Sequence, residues 1–539
     1  LKFKTSFNFD LINYNTLDYT NPKLGPAKEN GGGVSRMNTR TFSWTWNNIA
    51  TYDKTIGEHH FNVLAGVEAY SYRYDELTAS RSKMAQPDMP ELVVGSQLTG
   101  GSGYRIDYAL VGYLTQALYD YQNKYFFSAS YRRDGSSRFA PETRWGNFWS
   151  LGTSWRIDRE EFMASTSDWL SALTLKMSYG AQGNDNLGTY YASKGLYTIV
   201  SNLGENALVS DRMATPNLKW ETTTAYDLGL DFGMWEDRLT VTFGYYLKKT
   251  KNLLSSVTLP TSLGFIDYKE NLGQMENEGV ELALRSFVYK SNDWNVSLFV
   301  NMAHNKNRIV SISNALSSYN DKADQEQANN DDYKTKPMVR YKEGRSSTAI
   351  YAMKSLGIDP ATGKELFQRQ DGTNTYVWDP KESVVCGDTE PKVTGAFGTN
   401  ITWKQLNLNM NFSYRLGGQV YNQTLINRVE NADPRDNVDR RVLEQRWQKP
   451  GDHTFYKDIN DKSTTPASSR FIQDENVLQL GSLSLSYDLK KEWLKPIGFD
   501  MVRLTAMMND VFRLSTVKRE RGISYPFARS MSLGVMVQF

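Results

Sequence analysis

Apolar and polar residues alternate along most of the chain, and this period of two constrains the fold more than any other feature. In the segment QLNLNMNFSYRL at 405–416, every second residue is apolar and the residues between them are mostly asparagine. Four further copies of the pattern lie at 124–133, 172–180, 238–246 and 293–302. Side chains of a β-strand alternate between two faces, whereas a helix would need apolar residues three and four apart. These segments are therefore predicted to be amphipathic strands.

The connections between the predicted strands favour one kind of sheet. About sixteen strands of roughly nine to fourteen residues are predicted, which is long for a soluble sheet and suits tilted membrane crossing. Short and long connections take turns, as the periplasmic turns and extracellular loops of outer-membrane barrels do. The sequence therefore predicts an all-β fold, a transmembrane antiparallel up-and-down β-barrel over 1–539. Its long extracellular loops are predicted at 14–37, 75–103, 183–220, 250–275, 305–390 and 417–476.

Composition excludes several classes of protein. The net charge is +2, from 62 basic and 60 acidic side chains, so no global field attracts nucleic acid. One cysteine, Cys386, and four histidines argue against a disulfide framework and against a metal site. The mean hydropathy is −0.56 and no run of 18 apolar residues occurs, which excludes spanning helices but not barrel strands. Aromatic residues make up 13%, as expected if they form interfacial girdles.

No catalytic motif is found. A nucleophile elbow, a phosphate-binding glycine loop and a histidine metal motif are all missing from the sequence, so the chain is predicted to be neither an enzyme nor a cofactor-binding protein. The acidic run 321–332 lacks the spacing of a calcium loop and is predicted to be solvated and disordered. The basic residues at 132–144 are predicted to form ion pairs at the rim of the sheet.

Three groups of residues are candidates for function. Exposed rings in long loops could stack on a ligand, although each could equally anchor a loop or meet a partner: Tyr190, Tyr191, Trp220, Tyr376, Trp378 and Trp447. Three arginines on polar strand faces are predicted to contact material filling the lumen: Arg285, Arg415 and Arg503. Apolar residues on two strands are predicted to face lipid: Leu406, Leu408, Met410, Phe412, Leu533, Val535, Val537 and Phe539.

Four long segments resemble the SusC/RagA family of TonB-linked outer-membrane transporters. They lie at 128–157, 270–284, 387–422 and 478–512, so the resemblance spans most of the chain. It implies a plugged barrel of about 22 strands in the outer membrane of a Gram-negative bacterium, surrounded by outer-membrane lipid. It also implies a SusD-like surface lipoprotein as a lid, import of oligosaccharides or oligopeptides powered through TonB, and a dimer of the transporter–lid pair.

The chain departs from the family pattern at its amino-terminal end. The plug domain, the TonB-contacting segment and about six further strands of such a barrel would precede Leu1. We therefore expect a carboxy-terminal barrel portion that contacts TonB only through a missing amino-terminal region. Two alternatives stay open at this point: a passive sixteen-stranded porin and a β-sheet binding protein outside the membrane.

Overall fold

A computed structural model describes residues 1–258, 267–271, 273–433, 435, 438–518 and 528–539. Within these ranges the predicted number of strands is confirmed, because sixteen strands form one large sheet. In the order in which they neighbour one another, they are β1 (Lys2–Thr20), β2 (Gly33–Ile56), β3 (His59–Met84), β4 (Gly95–Tyr121), β5 (Tyr125–Ser136), β6 (Trp145–Arg156), β7 (Leu170–Asn184), β10 (Glu221–Met234), β11 (Leu239–Lys251), β14 (Gln274–Lys290), β15 (Trp294–Ser311), β21 (Val393–Trp403), β22 (Leu406–Tyr421), β23 (Ile472–Asp488), β24 (Met501–Ser515) and β25 (Met531–Gln538). Pairing is antiparallel from β1 to β5 and from β11 to β25.

The long connections carry secondary structure of their own. Their strands are β8 (Leu196–Asn202), β9 (Glu205–Arg212), β12 (Leu254–Thr258), β13 (Asp267–Asn271), β16 (Ala349–Ala352), β17 (Lys354–Ile358), β18 (Glu365–Gln368), β19 (Asn374–Thr375) and β20 (Val384–Asp388). Helices in the described ranges are α1 (Asn314–Asn329), α2 (Asp331–Lys334), α3 (Gln423–Leu425) and α4 (Lys491–Leu494), and none of them is both long and apolar enough to cross a membrane.

Helix α1 corrects the prediction of disorder at 321–332. The Ser313 side chain caps the helix by accepting a hydrogen bond from the backbone N–H of Leu316. Ala323 and Gln327 are only 3% and 1% exposed, and the Gln327 side-chain amide donates to the Lys336 carbonyl oxygen over 2.7 Å. The run is polar because most of the helix surface meets water, while one narrow face is buried.

The strands extend further than the predicted loop bounds. β1 reaches Thr20, β3 reaches Met84 and β4 already begins at Gly95, so much of the predicted loops 14–37 and 75–103 is paired strand. Alternation is lost in these stretches because polar residues occupy both faces. Positions 259–266 and 272 of the predicted loop 250–275 lie outside the described residues.

The chain forms two compact units, and the first comprises Leu1–Thr153, Tyr179–Thr224 and Asn252–Asn271. Its hydrophobic core lies beside the long-loop ends of the strands and consists of Phe139, Phe148, Leu187, Ala192, Leu218 and Trp220. The aromatic rings of Phe139 and Phe148 pack on Trp220 at centroid distances of 5.4 and 5.2 Å. Loop segments are thereby held against the strand ends by buried apolar area.

The second unit comprises Ser154–Ser178, Ala225–Lys251 and Leu272–Phe539. Its two longest connections, 312–392 and 422–471, are here called the loop body. The core of the loop body consists of Leu425, Ile426, Val429, Val442, Tyr456 and Phe471. Beside this core, the Arg470 guanidinium pairs with Glu365 and Glu430, each over 2.8 Å, and the three side chains are 4%, 8% and 0% exposed. The two connections of the loop body are therefore folded around a buried cluster of ion pairs.

Replacing Arg470 by alanine is expected to destabilise the loop body by about 3–5 kcal/mol, because two buried carboxylates would lose their cation. The matched control is Arg435→Ala, since Arg435 pairs with Asp433 on the same connection but is 87% exposed, and we expect no measurable change there. Hydrogen exchange of loop-body peptides in the purified full-length protein measures the effect. Equal exchange protection in the two variants would contradict this account.

Candidate functional site

Six tyrosines lie on one face of two paired strands and their adjoining loop in the first unit and are here called the tyrosine ladder. Five belong to paired strands, Tyr70, Tyr72 and Tyr74 on β3 with Tyr104 and Tyr108 on β4, and the sixth, Tyr190, comes from the connection after β7. Residues two apart on a strand share a face, and the register sets Tyr72 directly opposite Tyr108. The ladder therefore follows from the segment YSYRY at 70–74 and its pairing with β4.

The ladder occupies the face of β3 opposite to the exposed apolar residues of that strand. These are Phe61, Val63, Val67 and Leu77, which fall at odd positions, whereas the three ladder tyrosines fall at even positions. On β4, Tyr113 pairs with Val67 and is 50% exposed. One face of this pair of strands is thus apolar, and the other carries hydroxyl and charged groups.

Ring contacts join four of the tyrosines in one group and Tyr74 with Tyr104 in another. Ring centroids lie 5.9 Å apart for Tyr70 and Tyr108, 5.7 Å for Tyr108 and Tyr190, 5.9 Å for Tyr72 and Tyr190, and 5.8 Å for Tyr74 and Tyr104. The Tyr72 and Tyr190 rings are nearly parallel, with an interplanar angle of 11°. These distances are typical of favourable aromatic pairs.

One arginine and one carboxylate fix Tyr108 and Tyr190, which are here called the inner half of the ladder. The Arg138 guanidinium carbon lies 4.7 Å from the Tyr108 ring centroid and 4.8 Å from that of Tyr190, as in cation–π contacts. Asp185 accepts hydrogen bonds from the hydroxyls of Tyr108 and Ser136 over 2.8 and 2.6 Å. Arg138 also donates to the Asp185 carbonyl oxygen over 2.9 Å. Tyr190 is thereby clamped, and its loop is held on the sheet.

Tyr74 and Tyr104, here called the outer half of the ladder, are more open. Glu76 accepts hydrogen bonds from the hydroxyls of Tyr74 and Tyr104 over 2.6 and 3.1 Å, and Tyr104 is 49% exposed. A carboxylate beside exposed rings offers both an acceptor and a stacking surface. This half can therefore contact a ligand that has hydroxyl or amide donors and flat apolar faces.

The sequence prediction missed five members of the ladder. Tyr70, Tyr72, Tyr74, Tyr104 and Tyr108 were not among the candidates, since only rings in predicted loops were considered. The signal was present as three tyrosines at a spacing of two.

The predicted substrate contacts in the first unit have different environments. Tyr190 lies in the ladder, and the Tyr191 hydroxyl accepts a hydrogen bond from the Asp107 backbone N–H over 2.8 Å. Trp220 is a correction, because it is 7% exposed in the hydrophobic core and its indole N–H donates to the Arg144 carbonyl oxygen. An aromatic ring in a loop segment was mistaken for an exposed ring.

The candidates in the second unit lie in the loop body. The indole N–H groups of Trp378 and Trp447 each donate over 2.9 Å, to the Ala467 and Pro360 carbonyl oxygens, so both rings tie distant segments together. Tyr376 is 49% exposed, and its hydroxyl donates to Asp359 over 2.7 Å. This hydrogen bond lowers the pKa of Asp359 below its usual value. Among the three rings, Tyr376 has the most open surface.

The arginines predicted to face the lumen lie on polar strand faces with different partners. Arg503 pairs with Asp488 over 2.5 Å, and the Arg285 guanidinium lies 5.0 Å from the Phe287 ring centroid. Arg415 is exposed. Their contact with a plug or a substrate stays a prediction.

The predicted rim ion pairs involve long-range partners. Arg132 bonds Glu68 and Asp134, each over 2.7 Å, and Arg138 lies 3.6 Å from the Asp185 carboxylate. Both arginines lie on the same face as the tyrosine ladder.

The residues predicted to face lipid share one face of their strands. Leu408 lies opposite Ile401 on one side and Leu485 on the other, and Leu406, Met410 and Phe412 follow the same alternation while being half-buried by their neighbours. On β25 the side chains of Leu533, Val535 and Phe539 are 81%, 67% and 83% exposed, and Val537 is 38% exposed. Contact with hydrocarbon stays a prediction.

Exposed tryptophans lie at or beside five connections on one end of the strands of the second unit and are here called the tryptophan belt. They are Trp169, Trp235, Trp294, Trp403 and Trp493, between 40% and 56% exposed. The rings of Trp294 and Trp403 stack at 5.6 Å. Amphipathic indole rings prefer a membrane–water interface, so this edge has the composition of an interfacial girdle.

In the described ranges, no group of three or more His, Cys, Asp or Glu side chains could hold a metal ion. The site therefore consists of aromatic rings, carboxylates and arginines.

Comparison with known proteins identifies the family. Residues 1–422 match the family model of the TonB dependent receptor-like β-barrel. Two curated relatives are TonB-dependent receptor P3 of Formosa agariphila, 27% identical over 94% of this chain and 51% of its own length, and TonB-dependent receptor SusC of Bacteroides thetaiotaomicron, 24% identical over 92% and 50%. The chain thus spans about half the length of these relatives.

Solved structures agree on the fold. The structure of the RagAB peptide transporter matches with a TM-score of 0.83 at 23% identity, covering 96% of this chain and 56% of that one. The predicted all-β barrel fold and the resemblance to SusC and RagA are therefore confirmed. The prediction that the chain is not an enzyme is confirmed as well, because the matched family consists of outer-membrane receptors. The chain belongs to the TonB-dependent receptor-like β-barrel family and is similar to its SusC/RagA-type members.

Proposed function

We propose that this chain is the barrel portion of a TonB-dependent importer in the outer membrane of a Gram-negative bacterium. It takes up nutrient oligomers, either oligosaccharides or oligopeptides, together with a SusD-like surface lipoprotein. The observation that carries the proposal is the difference between the two kinds of connection. In the second unit, the connections at one end of the strands carry the tryptophan belt, whereas the two longest ones at the other end are folded into the loop body. In the first unit, the long connection 185–220 adjoins the tyrosine ladder through Tyr190. The names of the relatives, a receptor SusC and a RagAB peptide importer, support the same class of function.

Strand length and charge support a boundary between membrane and water on β3 and β4. β3 has 26 residues, more than twice the about nine to eleven that a tilted strand needs to cross hydrocarbon. Its outward face is apolar at Val63 and Val67 but charged at Arg73, which pairs with Asp107 over 2.8 Å. The ladder begins at this change, so it lies at the outer mouth of the barrel, where an arriving ligand would first meet the wall.

The ladder also suits the proposed ligands. Sugar rings and peptide side chains have flat apolar faces that stack on tyrosine, and their hydroxyl and amide groups can donate to Glu76. Tyr376 is a separate exposed ring in the second unit. The main surface of the proposed site therefore comes from the strands of the first unit.

The partner is tested by purification of the tagged full-length protein from its native outer membrane. We expect a surface lipoprotein to copurify in roughly equal amount, as for a stable interface, and to be removed when the loop body is deleted. Purification with no lipoprotein at any detergent concentration would count against the importer assignment.

Sidedness is tested by cysteine labelling in a Cys386→Ser background. Burial raises the pKa of the Cys386 thiol, so it would react slowly with a maleimide. Its replacement by serine leaves the introduced cysteine as the one reactive thiol. Leu203→Cys, at the tip between β8 and β9 where the side chain is fully exposed, should react with an impermeant maleimide on intact cells. Glu236→Cys, in the short turn before β11, should react only after lysis. Labelling of both on intact cells would refute the proposed orientation.

Ligand contact is tested by Tyr74→Ala with Tyr104→Ala in the full-length protein. Removing two stacking rings should weaken binding about tenfold, or about 1.4 kcal/mol, measured by titration with an oligosaccharide library and separately with an oligopeptide library. The control is Tyr113→Ala, which removes a 50% exposed ring from the opposite face of β4. Equal loss in both variants would show that the effect is structural.

A further inference from the structure

An apolar cleft opens on the second unit, away from the polar faces of its strands. Its volume is about 560 Å³, within the range of small-ligand pockets. Phe397, Tyr414, Leu416, Leu478 and Leu514 line it. These side chains come from β21, β22, β23 and β24, and all of them belong to the face that carries Leu408.

A bulge between β22 and β23 lies beside the cleft. Arg415 pairs with Val477, and Gly418 pairs with Glu475, so Leu416 and Gly417 stand opposite the single residue Asn476. Gly417 has a φ of +76°, a conformation that glycine adopts without strain, and its N–H donates to the Asn476 side chain over 2.8 Å. The bulge interrupts the regular pairing beside Leu416, Asn476 and Val477, which line the cleft.

We propose that this cleft binds one acyl chain of an outer-membrane lipid. The proposal rests on the proposed function in one respect, that the face carrying Leu408 meets hydrocarbon. The cleft is continuous with that face, because Leu416 continues the alternation that runs through Leu408 and Phe412. Leu416 and Leu514 are 44% and 60% exposed, so large apolar surface stays uncovered unless an apolar occupant fills the space.

Three polar residues also line the cleft, although its exposed surface is almost entirely apolar. Asn476, Ser515 and Thr516 lie toward the strand ends nearest the long loops. A lipid whose chain enters from the membrane would place its ester or amide groups beside these side chains. The chemical class is therefore an acylated membrane lipid with a polar head, which could be a phospholipid or a glycolipid.

Native mass spectrometry of the full-length protein, purified from outer membranes in mild detergent, tests the proposal. We expect one lipid per chain to survive detergent exchange, and its mass distinguishes a phospholipid from a glycolipid. Leu416→Trp with Leu514→Trp fills the cleft with apolar bulk and should abolish the lipid-bound peak. Both positions are exposed, so larger side chains should not prevent folding.

The matched control is Leu485→Trp with Leu504→Trp. Both residues are 43% exposed and lie on the same face of β23 and β24, but outside the cleft. Retention of the lipid in the control and its loss in the cleft variant supports the proposal. A wild-type protein without bound lipid, or a cleft variant that still holds it, overturns the cleft assignment while leaving the importer assignment intact. A protein that stays soluble without detergent would instead overturn the membrane placement itself.

Discussion

Every backbone N–H and C=O group that lies in hydrocarbon must be paired inside the protein, because no water is present there to replace a lost partner. Long antiparallel ladders satisfy this requirement, and here two paired strands are far longer than the about nine to eleven residues that a crossing needs. β3 and β4 have 26 and 27 residues and pair from His59 and Tyr121 to Met84 and Gly95. The pairing thus extends over many more residues than a crossing needs, and the tyrosine ladder is built on one part of it.

The sequence predicts well the part of each strand in which one face is apolar and the other polar. Further along β3 and β4 this asymmetry disappears. Arg73 and Asp75 occupy outward positions of β3, where each pairs with a charged residue of β4, and no period of two in hydropathy remains to identify the strand. The predicted loop 75–103 is therefore paired strand in large part. The folding of the loop body could not be predicted either. Its core spans Leu425 to Phe471 and its buried ion pair joins Arg470 to Glu365, and such contacts are set by tertiary packing.

The environments of single side chains were harder to predict than the positions of the strands. Trp220 and Tyr190 are both aromatic residues in one long connection, yet one is buried in a core and the other is clamped by Arg138. What separates them is the space available beside each ring. A Cβ atom at Gly183 would lie 2.0 Å from the Phe148 ring, so this glycine allows the core around Trp220 to close. Such a fit depends on three-dimensional neighbours that one sequence does not reveal, whereas the spacing of the tyrosines at 70–74 was readable from the chain.

The ladder combines a fixed half with an open half, and this division follows from where its charged groups lie. Arg138 and Asp185 form an ion pair and hold Tyr108 and Tyr190 in place, so both groups serve to anchor the loop. Glu76 lies beyond the clamp and accepts hydrogen bonds from the two tyrosine hydroxyls of the outer half through one carboxylate oxygen, Oε2. A ligand that reaches this wall would therefore contact the Glu76 half without having to displace the anchored loop. Preorganisation of this kind lowers the entropy cost of binding, because the rings that would receive the ligand are already held by the strands beneath them.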